Sequence, residues 1–377
     1  MSALLANGPV AGQRAGIALA PVAHDPTCGE HPAQIALLGT GTVGNAVLAR
    51  LRGWQGTAFG RRLQLVHVAN SRRAVGDKRG VALRAPAPGI GTAASLDQVA
   101  NAFRSRGSRI VIDATASDEV AECHAQWLAQ GIHVATACKL GQGTGLARWR
   151  AIRHACARGD AHYGDGATVG AGLPLLRTLR ELQAGGDRIH AIAGVLSGSL
   201  AWLCDRYDGM RPFSGFVREA REAGYTEPDP REDLSGEDVR RKLLILARSA
   251  GVELESAAVE VESLVPSELA SMPRDRVDAT LESLDAPLRE RYAAACRDGG
   301  KLHYVARFGE DGEARIGLEA LAADDVLLGG QGSDNRVAIW SDRYRRQPLL
   351  IRGPGAGAAV TAAALLDDAL RIAAGDR

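Results

Sequence analysis

The stretch "IALLGTGTVGNAVLARLRGW" constrains the fold more than any other part of the 377-residue chain. The apolar residues 35–38 lead into Gly39, Gly41 and Gly44 at G-x-G-x-x-G spacing. Val47, Leu48 and Leu51 then recur at helical intervals. Strand, glycine turn and helix, in that order, are the context in which this pattern cradles a dinucleotide. Gly39 permits the tight turn, Gly41 lets the backbone approach a pyrophosphate, and Gly44 lets helix and strand pack closely. Thr40, Thr42 and Val43 complete the turn, and the helix N-terminus faces the phosphate charge.

A second strand, "LQLVHVA", ends in "NSRR". An NAD-preferring site usually places an acid here for the ribose hydroxyls, and Asn70, Ser71, Arg72 and Arg73 supply none. Arginine suits a 2′-phosphate, so NADP is favoured, with NAD as the alternative. The competing account makes both arginines plain surface charges. Residues 75–96 are rich in Gly, Pro and Ala and read as a loop with little regular structure. "SLDQVANAFRSRG" predicts a helix, "RIVIDATA" a strand, "SDEVAECHAQWLAQG" a helix and "IHVATACK" a strand.

This alternation predicts an α/β chain with a doubly wound parallel, Rossmann-like domain over residues 34–162. Ligands of such sheets sit beyond the carboxyl ends of the strands, where Gly39, Asn70, Thr115 and Lys139 fall. Cys138 precedes Lys139, and a thiol beside a lysine can be an activated thiolate. No His and acid pair in sequence supports a nucleophile, so a small buried residue is expected there.

The pattern changes after residue 162. "KLHYVARFG", "ARIGLEAL" and "RVAIWSDRY" read as strands, giving an α+β substrate and dimerisation domain over 163–349. Gly164, Gly166, Gly170 and Gly172 form a turn whose carbonyls suit a monovalent cation, Na or K, or else a tight bend alone. Pro174 opens a helix, and Ser197 or Ser199 caps the next one or meets a polar substrate group. An Ala-rich helix at 360–374 follows Gly353, Gly355 and Gly357 and is expected to return to the first domain, completing it with residues 350–377. Residues 1–33 read as a loose leader without secretory features.

Formal net charge is +1 and aromatics are 4%, which argues against nucleic acid and an acidic membrane surface as partners. No apolar run approaches 18 residues, so no membrane span is expected. None of the six cysteines is spaced C-x-x-C, which weakens a zinc reading and fits a cytoplasmic chain.

"GYTEPDPREDLSGEDVRRKLLILAR" is the acid-dense stretch, residues 224–248. Ser235 reads as an N-cap, with Asp238 three residues later as in a capping box. Val239, Leu243, Leu246, Ala247 and Ala250 make one apolar helical face, and Asp238 and Lys242 are four apart. One account is a capped, salt-bridged surface helix. The other is chemistry: Lys242 as a proton donor to a carbonyl that accepts hydride, with Glu227 and Asp238 holding a substrate ammonium or hydroxyl.

Together "LLGTGTVGNAV", "VANSRR", "VGAGLPLLRTLRELQAGGDRI", "GVLSGSLAWL", the acid-dense stretch and "RGPGAGAAVTAA" resemble homoserine dehydrogenase over residues 34–377. The resemblance is closest to the dehydrogenase part of bifunctional aspartokinase–homoserine dehydrogenases. It implies NAD(P)-linked interconversion of L-aspartate 4-semialdehyde and L-homoserine by a homodimer, in threonine and methionine biosynthesis. It further implies Lys242 as proton donor and acceptor, Glu227 and Asp238 as substrate ligands, and Lys139 near nicotinamide and substrate. It places Gly357 against the cofactor and the carbonyls of Val169, Ala171 and Leu173 around a monovalent cation. The chain departs from the family at Cys138, where Asn is usual, and at Gly166, where a glutamate is usual. Two alternatives follow: a catalytically weak NADP-binding homologue, or a dehydrogenase for another amino-acid aldehyde.

Overall fold

A computed structural model describes residues 31–86, 90–329 and 332–375. Almost all of the 1–33 leader therefore lies outside the described residues.

Seven strands form the first sheet: β1 (Ala33–Leu38), β2 (Leu63–Ala69), β3 (Arg73–Gly76), β4 (Thr92–Ala93), β5 (Arg109–Asp113), β6 (His133–Thr136) and β7 (Tyr163–Gly164). Their order is β4-β3-β2-β1-β5-β6-β7. β2, β1, β5, β6 and β7 run parallel, and β3 and β4 add an antiparallel edge. Every residue of β1 is buried, as a central parallel strand covered on both faces requires. Ile35 and Leu37 pack with Val47, Leu48, Leu365 and Leu366 on one face. Ala36 and Leu38 pack with Val111, Trp127, Leu128 and Ile152 on the other. The C-terminal helix, Ala358–Ala374, thus shares a core with the glycine-turn helix, Thr42–Gly53.

The second sheet has order β13-β12-β8-β10-β11-β9. Its strands are β8 (Ile189–Val195), β9 (Val259–Val261), β10 (Lys301–Phe308), β11 (Ala314–Leu321), β12 (Asp334–Ser341) and β13 (Leu349–Pro354). One face carries the largest core cluster, shared with the helices Leu175–Ala184, Gly198–Arg206 and Glu237–Ser249. The two sheets cross the sequence division at 162/163 and 349/350: β7 belongs to the first, and β13 to the second.

Two local expectations are corrected and a third is sharpened. The helix read over "SLDQVANAFRSRG" is two short 3-10 turns, Leu96–Gln98 and Ala100–Ala102. The buried Gln34 amide claims the backbone beyond them, accepting from Arg104 N–H at 2.7 Å and donating to the Arg106 carbonyl at 2.7 Å. The stretch 75–96 is not all loop, because β4 and the end of β3 lie within it as paired edge strands. Finally, Ser235 does not cap the lysine helix Glu237–Ser249, whose N-cap is Gly236 at φ 78°. A short helical turn, Arg231–Leu234, runs straight into Ser235 and leaves it in right-handed geometry. Its hydroxyl donates to the Glu232 carbonyl at 2.9 Å and accepts from Glu237 N–H at 3.3 Å. Only a left-handed residue turns the chain into the next helix, and Gly236 takes that conformation without a Cβ penalty.

Candidate active site

The carboxyl ends of β1, β2, β5 and β6 form one edge of the first sheet. Gly39 follows β1 at φ +91°, where a Cβ would lie 2.7 Å from the Ala114 carbonyl oxygen and 2.9 Å from Thr115 Cγ2. At Gly44 a Cβ would strike the Gly39 carbonyl oxygen at 1.9 Å, so the turn closes only with glycine at both positions. Gly41 is the helix N-cap and a Cβ there would meet nothing within 4 Å. Closed on the protein side and open on the other, the turn fits a phosphate group approaching the N–H groups of Thr42 and Val43. Thr40 is half-buried, and its carbonyl accepts from the Asn45 amide at 2.7 Å.

At the end of β2, the Asn70 side chain accepts from Arg72 N–H at 2.9 Å and Arg73 N–H at 2.8 Å. This Asx turn leaves Ser71, Arg72 and Arg73 exposed. Neither arginine has an ion-pair partner among the described residues. Thr115 follows β5 and is fixed by Asp113, whose Oδ1 accepts from its N–H at 2.9 Å and its hydroxyl at 2.6 Å.

Lys139 follows β6 and meets the second part of the chain there. Asp238, in the first turn of the lysine helix, lies 3.3 Å from Lys139 Nζ through Oδ1 and 2.8 Å from Lys242 Nζ through Oδ2. Burial alone would raise the Asp238 carboxyl. Lys242 and Lys139 outweigh it and hold the group well below the usual carboxylate range. Lys242 is 8% exposed and also donates to the Leu196 carbonyl at 2.7 Å. The loop bearing Lys139 is pinned to the same helix. Gly143 approaches so closely that a Cβ would lie 2.9 Å from Arg241 Cβ, and buried Arg248 donates to the Gln142 carbonyl.

Glu227 is exposed on its loop, and its backbone N–H donates to Asp233 Oδ2 at 2.8 Å. Asp233 Oδ1 accepts from the Ser199 hydroxyl at 2.7 Å, and Ser197 caps the Gly198–Arg206 helix through Leu200 N–H at 3.2 Å. Burial raises the Asp233 carboxyl above its ordinary range, against the pull of the Glu227 and Ser199 donors. The structure therefore brings Lys139, Asp238 and Lys242 together directly and ties the Glu227 loop to the Ser197–Ser199 turn. Asp233 and Leu196 were not singled out in the sequence as site residues. A backbone carbonyl carries no sequence signal, and Asp233 sits among acids of similar look.

Cys138 is a buried thiol pushed up to about 11 by burial, so it is no activated nucleophile. The turn 169–173 is tight, with Gly170 at φ 72° and Ala171 at φ 52°. The Leu173 carbonyl accepts from Leu175 N–H at 2.8 Å, whereas those of Val169 and Ala171 accept no hydrogen bond among the described residues. Asp165 is not free to join them, since both its oxygens face Arg180. Gly357, at φ 130°, starts the C-terminal helix, whose Val360 packs on Gly172 of this turn. No described helix is long and apolar enough to cross a membrane.

The homoserine dehydrogenase family matches residues 174–370, and the homoserine dehydrogenase NAD binding domain matches residues 39–163. The chain is 42% identical over 264 residues to bifunctional aspartokinase/homoserine dehydrogenase 2 of Escherichia coli, covering 70% of this chain and 33% of that one. It thus spans about a third of the length of that relative. It is 36% identical over 289 residues to homoserine dehydrogenase of Emericella nidulans, covering 73% and 78% of the two chains. A solved Candida auris protein of unknown function superposes with a TM-score of 0.83 at 33% identity, over 90% of this chain and 98% of that chain. A dinucleotide-type sheet edge, joined through one carboxylate to two lysines from separate segments, agrees with these matches, and the chain belongs to the homoserine dehydrogenase family.

Proposed function

We propose that the chain interconverts L-aspartate 4-semialdehyde and L-homoserine, with NADP as the preferred dinucleotide. The observation that carries this reading is the Lys139–Asp238–Lys242 bridge at the carboxyl edge of the first sheet. Bound NADPH would supply the hydride. Lys242 presents an ammonium to the aldehyde oxygen, polarises it and gives up a proton as the alcohol forms. Asp238 orients Lys242 through its 2.8 Å contact. Lys139 adds a second positive charge, and Glu227 receives the substrate ammonium. Gly39, Thr40, Gly41, Thr42, Val43, Gly44, Thr115 and Gly357 line the dinucleotide, and Asn70, Ser71 and Arg72 receive the 2′-phosphate.

Val169, Ala171 and Leu173 would hold a monovalent cation through their carbonyls, with no carboxylate from Asp165. Two chains would pair through the second sheet, where Ala193, Arg307 and Trp340 line a cleft of about 550 Å³. A cytosolic setting suits the buried thiols Cys138 and Cys204. The test is NADPH oxidation with aspartate semialdehyde, beside a panel of other amino-acid aldehydes. Turnover with aspartate semialdehyde supports the assignment. Preference for another aldehyde, or NADPH binding without turnover, overturns it.

A further inference from the structure

Beneath the proposed site lies a buried hydrogen-bond network that the reaction itself does not use. Asp113, the last residue of β5, is fully buried, as is His124 on the helix Asp118–Ala129. Asp113 Oδ2 lies 3.1 Å from His124 Nε2 and accepts from the Thr136 hydroxyl at 3.0 Å. His124 Nδ1 lies 3.0 Å from the Tyr163 hydroxyl on β7. Thr136 Oγ1 accepts from Cys138 N–H at 2.9 Å, immediately before Lys139. On the other oxygen, Asp113 holds Thr115, whose hydroxyl accepts from Ser117 N–H at 3.2 Å.

One assignment of hydrogens satisfies every group. Tyr163 donates to Nδ1, Nε2–H donates to Asp113, both threonine hydroxyls donate to Asp113, and each threonine oxygen accepts one backbone N–H. Burial holds the Tyr163 phenol well above its ordinary value, so it stays a donor. The network therefore has one direction, and it ends on the backbone at Cys138, next to Lys139, and at Thr115 and Ser117. Gly141, two residues past Lys139, lies directly over it. A Cβ there would come within 2.3 Å of the Tyr163 hydroxyl and 3.2 Å of His124 Nδ1.

We infer that His124 is a positioning residue. By holding Asp113 in a single orientation it sets both the cofactor-side Thr115 and the substrate-side Lys139. This rests on the reading of Thr115 and Lys139 as site residues. Packing alone would not demand it: an apolar side chain at 124 fills the space but takes one of two donors from Asp113 Oδ2 in a fully buried site, and a carboxylate so left turns or recruits other partners.

The experiment compares His124→Leu, His124→Gln, Tyr163→Phe and Lys139→Ala in the full chain, by NADPH fluorescence titration and by steady-state kinetics with aspartate semialdehyde. One lost buried hydrogen bond to a carboxylate predicts about a fivefold rise in NADPH Kd and in substrate KM for His124→Leu, with kcat within about twofold. His124→Gln, which keeps a donor at the Nε2 position, returns both constants to within about twofold of wild type. Tyr163→Phe shifts both in the same direction by about two- to threefold, and it carries the test if His124→Leu does not fold. A merely structural histidine gives the opposite split: melting temperature and active fraction fall while Kd and KM stay put, and that result overturns the inference. Lys139→Ala separates the two readings. If it leaves KM unchanged, the assignment of Lys139 fails, while the NADPH titration still tests the Thr115 arm on its own.

Discussion

Lys242 Nζ lies 2.8 Å from the Asp238 carboxylate one helical turn away, and the same nitrogen reaches the Leu196 carbonyl at 2.7 Å. An ammonium has three hydrogens and no acceptor. Two are therefore committed to fixed partners, and the third is left for the aldehyde oxygen of the proposed reaction. Lys242→Met keeps the stem and removes the head. It should lower kcat by about 10²–10⁴-fold, the range for losing one general acid, with NADPH affinity unchanged by titration. A variant retaining a tenth of wild-type kcat would remove Lys242 from the proton transfer.

Arg248 does for the lysine loop what Asp238 does for the lysines. Its guanidinium is 1% exposed and donates to the Leu254 carbonyl through Nε at 3.1 Å and Nη2 at 2.9 Å, and to the Gln142 carbonyl through Nη1. Burial lowers it to about 10, which still leaves it charged at neutral pH. Arg248→Met would strand two buried carbonyls. We expect a loss of about 2–4 kcal/mol in denaturant unfolding, together with a raised KM for the aldehyde as Lys139 drifts from Asp238.

At the end of β2, Arg72 stands exposed on an Asx turn that fixes its backbone and leaves its guanidinium unpaired among the described residues. Arg72→Ala should reduce the ratio of kcat/KM for NADPH over NADH by about tenfold, mostly through the NADPH term. An unchanged ratio would assign the 2′-phosphate to another group.

The sequence made the four parallel strands β1, β2, β5 and β6 legible because each is a short apolar run that ends on a turn residue, whereas the short edge strands β3, β4 and β7 carry no such run. The glycine turn was equally plain, since only glycine satisfies the contacts at 39 and 44. The stretch 95–107 misled because its helical spacing is real, and nothing local reveals that Gln34, some 70 residues away, takes its backbone. Ser235 misled for a related reason: the capping-box spacing is present, but a preceding helical turn ends on that residue. Asp238 and Lys242 could be placed on one face by counting, whereas the approach of Lys139 depends on Arg248 and Gly143 and has no sequence signature.

Gly166 is one of the two positions, with Cys138, at which the resemblance marks a departure, and the space beside it is filled from the far end of the chain. Asp368 on the C-terminal helix accepts from Gly166 N–H at 2.9 Å, and a Cβ on Gly166 would lie 3.0 Å from that carboxylate oxygen. Burial first, and then neighbouring Asp165, raise the Asp368 carboxyl from 3.8 to about 6, with the Gly166 donor, Arg371 and Arg180 opposing. An acid whose folded value is raised holds its proton more tightly folded than unfolded. Its contribution therefore favours folding at low pH and is lost as pH rises from about 4 through about 6. Above that window the ionised group costs about 3 kcal/mol, and Asn at 368 carries no such cost while keeping an acceptor for Gly166. Urea unfolding of wild type and Asp368→Asn at pH 4, 5, 6 and 7.5 should show the difference moving toward the variant by about 3 kcal/mol across that range. A difference that stays flat would mean that Asp368 ionises in the fold as readily as in the open chain, and that its contact with Gly166 is not a buried one.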